Sequence, residues 1–185
     1  MTPEYTPVMR GFDQWRGYYT GELGAPPPRQ PAIPARRPLA PCRPPHAGNV
    51  EYWNHASPCW HCGNFTAVDN SFATALHPEP TPHFDDAGVY STNLYSGWVE
   101  DVLDAHRAED PLFLYLPFEA VHGAASCEPD CNDPSGDLLQ APGFFIDQQR
   151  QVKLKDRRTF AGMLGALDSA VANITAKLKA KGMWE

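Results

Sequence analysis

The chain has 185 residues, enough for one domain with a core and too few for two ordinary ones, and its 20 prolines place a large share of it outside any core. Its net charge is −7 and the acids are concentrated: between Asp69 and Asp147 the only lysine or arginine is Arg107, which argues against a general nucleic-acid binder. No apolar run approaches the ~18 residues of a membrane-spanning helix, and Met1-Thr-Pro-Glu-Tyr-Thr-Pro7 lacks the charged and apolar regions of a signal peptide.

Residues 1 to 24 combine aromatic rings with glycines at positions 11, 17 and 21 and sustain neither strand alternation nor a helical stripe. They predict an ordered loop with at most one short helical turn, the glycines marking tight turns. From Ala25 to Pro45 the chain is rich in proline and arginine and contains no acid. Such a stretch buries too little apolar surface to offset its ordering entropy, so 25–45 reads as a flexible insertion, with recognition of aromatic grooves as the functional alternative.

Cysteines stand at 42, 59, 62, 127 and 131, an odd number. In an oxidising compartment one thiol stays free, pairs with another chain or has lost its partner. Cys59 and Cys62 have the spacing of a redox dithiol or half a zinc site. No second close pair of matching spacing follows, and the strand and helix that a thioredoxin-like motif needs are not apparent. Local disulfides or unpaired thiols are the alternative. Asn64-Phe-Thr66 and Asn173-Ile-Thr175 are glycan acceptors only in a secretory compartment, which conflicts with the N-terminus, read literally as that of a cytosolic protein because it lacks a signal peptide.

Ser91 and Thr92 are candidate caps of a helix running to about Arg107, with Leu94, Tyr95, Trp98, Val99, Val102 and Leu103 recurring at helical spacing. Pro111-Leu-Phe-Leu-Tyr-Leu-Pro-Phe-Glu-Ala-Val-His-Gly123 comes next. Its continuously apolar stretch from Leu112 to Leu116 predicts a strand covered on both faces. Polar chemistry appears where the run ends, at Glu119 and His122. Ligands of open α/β folds bind at such strand ends, so His122 is a candidate site group as well as a candidate structural histidine. The turn-rich acidic loop Cys127 to Asp137 lacks the glycine and late glutamate of a calcium-binding EF-hand and reads as solvent-exposed. A long helix is predicted from about Gln151 to Lys181, with Phe160, Met163, Leu164, Leu167, Val171, Ile174 and Leu178 as its apolar stripe. Gly162 and Gly165 permit close backbone approach, Lys177, Lys179 and Lys181 suit the negative helix end, and Gly182 is a natural stop. On this phase Asn173 lies at the edge of the stripe or away from it.

Tyr5-Thr-Pro-Val-Met-Arg-Gly-Phe-Asp13, Gly17-Tyr-Tyr-Thr-Gly21, Tyr90-Ser-Thr-Asn-Leu94, Pro111 to Leu116, Ala120-Val-His122 and Phe160-Ala-Gly-Met-Leu-Gly-Ala-Leu-Asp-Ser-Ala-Val-Ala-Asn-Ile-Thr175 resemble, in order, the middle of an arylsulfatase B-type sulfatase. The resemblance implies an α/β fold, part of an alkaline-phosphatase-like domain with a buried sheet strand flanked by helices and long loops. It also implies hydrolysis of sulfate esters, with a sulfated small molecule or glycan as partner, and a lysosomal or secreted location for the complete protein. Members use a calcium ion and a formylglycine made from the cysteine of Cys-x-Pro-Ser-Arg. His122 is the one functional residue that carries over, hydrogen-bonding the sulfate or the leaving group.

The departures are specific. Cys42-Arg-Pro-Pro-His46 and Cys127-Glu-Pro-Asp-Cys131 both lack the arginine of the formylglycine motif. The family's early metal-binding aspartate pair and its Lys-Trp-His motif precede the part that resembles residue 1 and its later Asp-Asn motif follows the part that resembles Trp184, so none is matched here, and Gly123-Ala-Ala-Ser126 stands where the family has proline and glutamine. Residues 1–185 are therefore expected to be a partial sulfatase catalytic domain, inactive alone and without metal ligands of its own. The rival readings are a non-catalytic remnant that binds sulfated glycans or a partner, and a small metal or redox module at Cys59 and Cys62.

Overall fold

A computed structural model describes residues 6–17, 56–59, 65–68, 71–79, 81–82, 86, 88–123 and 139–184. They divide between two units, one of Met1–Ala87 with Ala125–Gly136 and one of Gly88–Ala124 with Asp137–Glu185. The architecture is mixed helix and sheet, and among the described residues every strand pairing is antiparallel. The proline-rich insertion 25–45, the acidic loop 127–137, Asn64, Cys42, Cys62, Cys127 and Cys131 lie outside the described residues.

In the first unit a 3-10 turn, Pro7–Arg10, begins at a proline whose fixed φ suits a helix start. It ends at Gly11, whose φ of 99° is costly for any residue with a Cβ. Four-residue strands follow: β1 (Gln14–Gly17), β2 (Ala56–Cys59), β3 (Phe65–Val68) and β4 (Ser71–Thr74), with the short β5 (Thr81–Pro82) at an edge. The sheet order is β1-β4-β5, and β2 pairs separately with β3. Pro82 sits in the edge strand, where a missing N–H is tolerated. Arg16 and Phe72 face each other in the register, the guanidinium standing 4.8 Å over the ring centroid. The sequence reading placed Gln14–Gly17 in a loop. Its strand exists because residues more than 50 positions away supply the ladder, which no local pattern shows.

The second unit holds α1 (Ser91–Ala105), α2 (Gly143–Asp147) and α3 (Lys155–Ala180). Val99 and Leu103 of α1 meet Ile174 of α3, and Leu112, Leu116, Phe118 and Leu178 pack onto that cluster. At the adjoining C-terminal ends of the two helices, Lys181 Nζ donates to the carbonyl oxygens of His106 at 2.7 Å and Asp104 at 3.1 Å. Lys177 Nζ reaches Asp104 Oδ2 at 2.7 Å. Lys181 of α3 thus satisfies carbonyls that α1 leaves unpaired at its end. Gly182, at φ 70°, terminates α3 in a Schellman arrangement: its N–H donates to Lys179 O and the Met183 N–H donates to Leu178 O.

Two corrections follow from packing. The buried face of α3 is Thr159, Gly162, Met163, Ala166, Ala170 and Ile174, while Phe160, Leu164 and Val171 of the expected stripe are 39 to 50% exposed. Close neighbours are the reason. A Cβ on Gly162 would come within 3.1 Å of the Ile146 backbone nitrogen and side chain, and one on Gly165 within 3.3 Å of the Phe145 ring. Small residues therefore face inward, as close approach at those two glycines required, and a stripe drawn from bulky residues is rotated off the true contact line. The second correction concerns the central run. Residues 111–118 belong to no helix or strand, and Phe113 and Tyr115 are 77% and 71% exposed. Leu112, Leu116 and Phe118 turn toward the helices instead. The expected strand covered on both faces is absent because no described strand lies beside this run to make a ladder with it.

Candidate functional site around Glu119 and His122

The apolar run delivers Glu119 to the N-terminal turns of α1. Ser91 and Tyr95 are four residues apart and so share one helix face. Ser91 Oγ donates to Glu119 Oε2 and the Tyr95 hydroxyl to Glu119 Oε1, each at 3.0 Å. Both donors are buried, Ser91 completely. Burial pushes the Glu119 carboxyl up to about 8, because a shielded carboxylate loses its hydration. At neutral pH this carboxyl therefore holds a proton, and one of the two hydroxyls then accepts a bond instead of donating it.

Tyr90, the residue preceding α1, is also buried, and its hydroxyl donates to Gln140 O at 2.9 Å. Burial raises that phenol above its ordinary range, so it remains a donor. Ser91 and Thr92 were expected as helix caps. The N-cap is Tyr90, without a side-chain capping bond, and the Ser91 hydroxyl is directed to Glu119 instead.

A turn links Glu119 to His122. The Ala120–Val121 peptide is cis, and the His122 N–H donates to Glu119 O at 2.8 Å. The imidazole is exposed, with Nδ1 2.7 Å from Gly123 O. A carbonyl accepts only, so Nδ1 carries the hydrogen, and Nε2 is the basic nitrogen of the neutral ring. A fixed, outward imidazole of this kind can hydrogen-bond an oxyanion when protonated or take a proton when neutral.

Of the other sequence candidates, Cys59 closes β2, and Asn173 is an exposed residue of α3, as its helical phase requires. Sequence reading singled out Glu119 and His122 as the polar end of the run but missed Ser91 and Tyr95 as partners of Glu119. Their four-residue spacing on a helix was the available signal. Among the described residues no three His, Cys, Asp or Glu side chains converge on a metal site. No helix of the described residues is long and apolar enough to cross a membrane.

No protein-family model matches the chain. Arylsulfatase J of Mus musculus is 36% identical over 99 residues, which cover 54% of this chain and 14% of that protein. Over those residues the chain is similar to an arylsulfatase. It spans a small part of that relative's length. The structure likewise resembles the crystal structure of Ps i-CgsB, with a TM-score of 0.59 at 20% identity, over 99% of this chain and 32% of that one. Ps i-CgsB in complex with k-i-k-neocarrahexaose gives 0.57 at 21% identity, with the same coverage. At that identity the likeness is one of fold.

Proposed function

We propose that this sequence forms part of an arylsulfatase-type sulfuric ester hydrolase in which His122 faces the sulfate ester. The observation that carries the reading is the exposed His122 imidazole, held by Gly123 O and following the apolar run, in a chain related to Arylsulfatase J. Protonated, its Nε2–H would donate to a sulfate oxygen or to the departing alkoxide or phenoxide, offsetting charge that develops as the S–O bond breaks. The substrate class is a sulfated small molecule or glycan, and the neighbour solved with k-i-k-neocarrahexaose supports the glycan. A lysosomal or secreted location, with glycans at Asn64 and Asn173, belongs to the same reading.

Calcium and formylglycine are the groups the family implies, and neither fits the residues described. Among them no three His, Cys, Asp or Glu side chains are placed to hold a metal ion, and Cys42-Arg-Pro-Pro-His46 and Cys127-Glu-Pro-Asp-Cys131 are not formylglycine motifs. No step is therefore routed through either group. The test uses a protein that carries this sequence together with a Cys-x-Pro-Ser-Arg motif. Sulfate released from an aryl sulfate and from a sulfated oligosaccharide is measured, with an aryl phosphate as control. Release from either sulfate substrate is the expected result, and release from the phosphate alone would overturn the reading. The 185-residue chain by itself is expected to release none.

A further inference from the structure

The Glu119 carboxyl is a shielded acid that the reaction as proposed does not use, and it is joined to His122 in two ways. Its side chain is bound by two hydroxyls of α1, Ser91 Oγ and Tyr95 OH, each at 3.0 Å. Its backbone carbonyl accepts the His122 N–H at 2.8 Å. The turn that presents the imidazole is thus fastened to α1 through the Glu119 side chain.

We propose that Glu119 is a positioning residue, a proton-dependent anchor that holds the His122 turn against the first two turns of α1. For its catalytic meaning it rests on the reading of His122 as the substrate-facing group. As a structural device it stands alone.

With the proton in place, the carboxyl O–H and the two hydroxyls make a closed set of bonds with no net charge. Loss of the proton to water leaves an anion in a shielded position, whose compensation comes from two neutral hydroxyls. Burial is the cause of its raised titration. On α1 the facing groups are Ser91 and Tyr95, while Glu100, further along, is bonded to Ser96. On its own segment the nearest titrating group is His122, whose Nδ1 is committed to Gly123 O. Ionisation therefore favours releasing the carboxyl toward water, and the turn with it. The imidazole is held in place at acidic and neutral pH and loosened in alkali.

Carbon-detected NMR of the labelled 185-residue chain tests this by following Glu119 Cδ and His122 Cε1–H as pH is raised. The Glu119 signal should inflect near 8. The His122 signal should carry a second inflection at the same midpoint. Glu119→Gln keeps the neutral shape and should abolish that second inflection. Tyr95→Phe deletes one hydroxyl that stabilises the anion, keeps the ring, and should move the shared midpoint upward. The proposal is overturned if Glu119 titrates in the ordinary carboxylate range, if His122 shows no second inflection, or if Glu119→Gln or Tyr95→Phe leaves that inflection unmoved. None of these signals depends on sulfate hydrolysis, so both inflections in the 185-residue chain, together with no sulfate release from the protein that also carries a Cys-x-Pro-Ser-Arg motif, would reject the enzymatic reading and keep the anchor.

Discussion

Ser91 Oγ donates to Glu119 Oε2 across 28 residues of chain although it sits in the first turn of α1, where a serine hydroxyl commonly serves the helix itself. The burial of that carboxyl has a consequence for stability. In the unfolded chain the Glu119 carboxyl titrates near its ordinary 4.5, and in the folded chain near 8. Below 4.5 both states hold the proton and its contribution to folding is complete. As pH rises the unfolded state releases the proton first, so stability falls until the folded carboxyl has ionised as well. The slope is at most about 1.4 kcal/mol per pH unit. Thermal unfolding at pH 5 and pH 8.5 should therefore show the wild type losing more stability than Glu119→Gln. Equal losses would remove Glu119 from the pH dependence.

The glycines of the helices divide by what surrounds them. Gly162 has Ile146 atoms at 3.1 Å and Ala141 at 3.3 Å from where a Cβ would lie, whereas Gly97 on α1 has nothing within 4 Å. Gly162→Ala should destabilise by about 1–3 kcal/mol through overpacking. Gly97→Ala should stabilise by about 0.5–1 kcal/mol by lowering the entropy of the unfolded chain. Urea denaturation of both variants gives the two signs, and the same sign at both sites would contradict this packing.

Phe113 and Tyr115 hold 77% and 71% of their surface in water on a run that joins no sheet. The outer side of α3 adds Phe160, Leu164 and Val171. Apolar exposure on this scale promotes association. The 185-residue chain should bind a hydrophobic dye and self-associate at raised concentration. Phe113→Ser with Tyr115→Ser should reduce both while circular dichroism stays unchanged. A double variant with undiminished dye binding would place the sticky surface elsewhere.

Asn173 is exposed on α3, one residue before the buried Ile174. A glycan there displaces no packed side chain. When a protein carrying this sequence is secreted from a eukaryotic cell, glycopeptide mass spectrometry should find Asn173 occupied, and uniform absence would show that exposure is insufficient.

What was readable in the sequence follows the range of the interactions. Both long helices were legible from periodicity, and the stop at Gly182 from its chemistry, because those signals are local. The starts were less so: Ser91 looked like a cap because its bond to Glu119 depends on tertiary approach, and α3 begins at Lys155 after an irregular stretch that Arg158 ties down through Val152 O at 2.8 Å. The inward face of α3 misled because Gly162, Ala166 and Ala170 are small, and hydropathy favours the bulkier Phe160 and Leu164. The strand at Gln14–Gly17 was invisible, since its ladder comes from Ser71–Thr74. His122 was legible as the polar end of an apolar run. The Ser91, Tyr95 and Glu119 cluster was not, although each member was in view, because only the fold brings the run back to α1.

The most direct test of the account is the steady-state kinetics of His122→Ala in a complete sulfatase that carries this sequence, assayed on an aryl sulfate. His122 is exposed. The account predicts kcat/KM lower by about 10²-fold or more, the scale of a lost proton donor or oxyanion partner, with thermal unfolding unchanged. A folded variant with wild-type kinetics would contradict it and return His122 to a structural role.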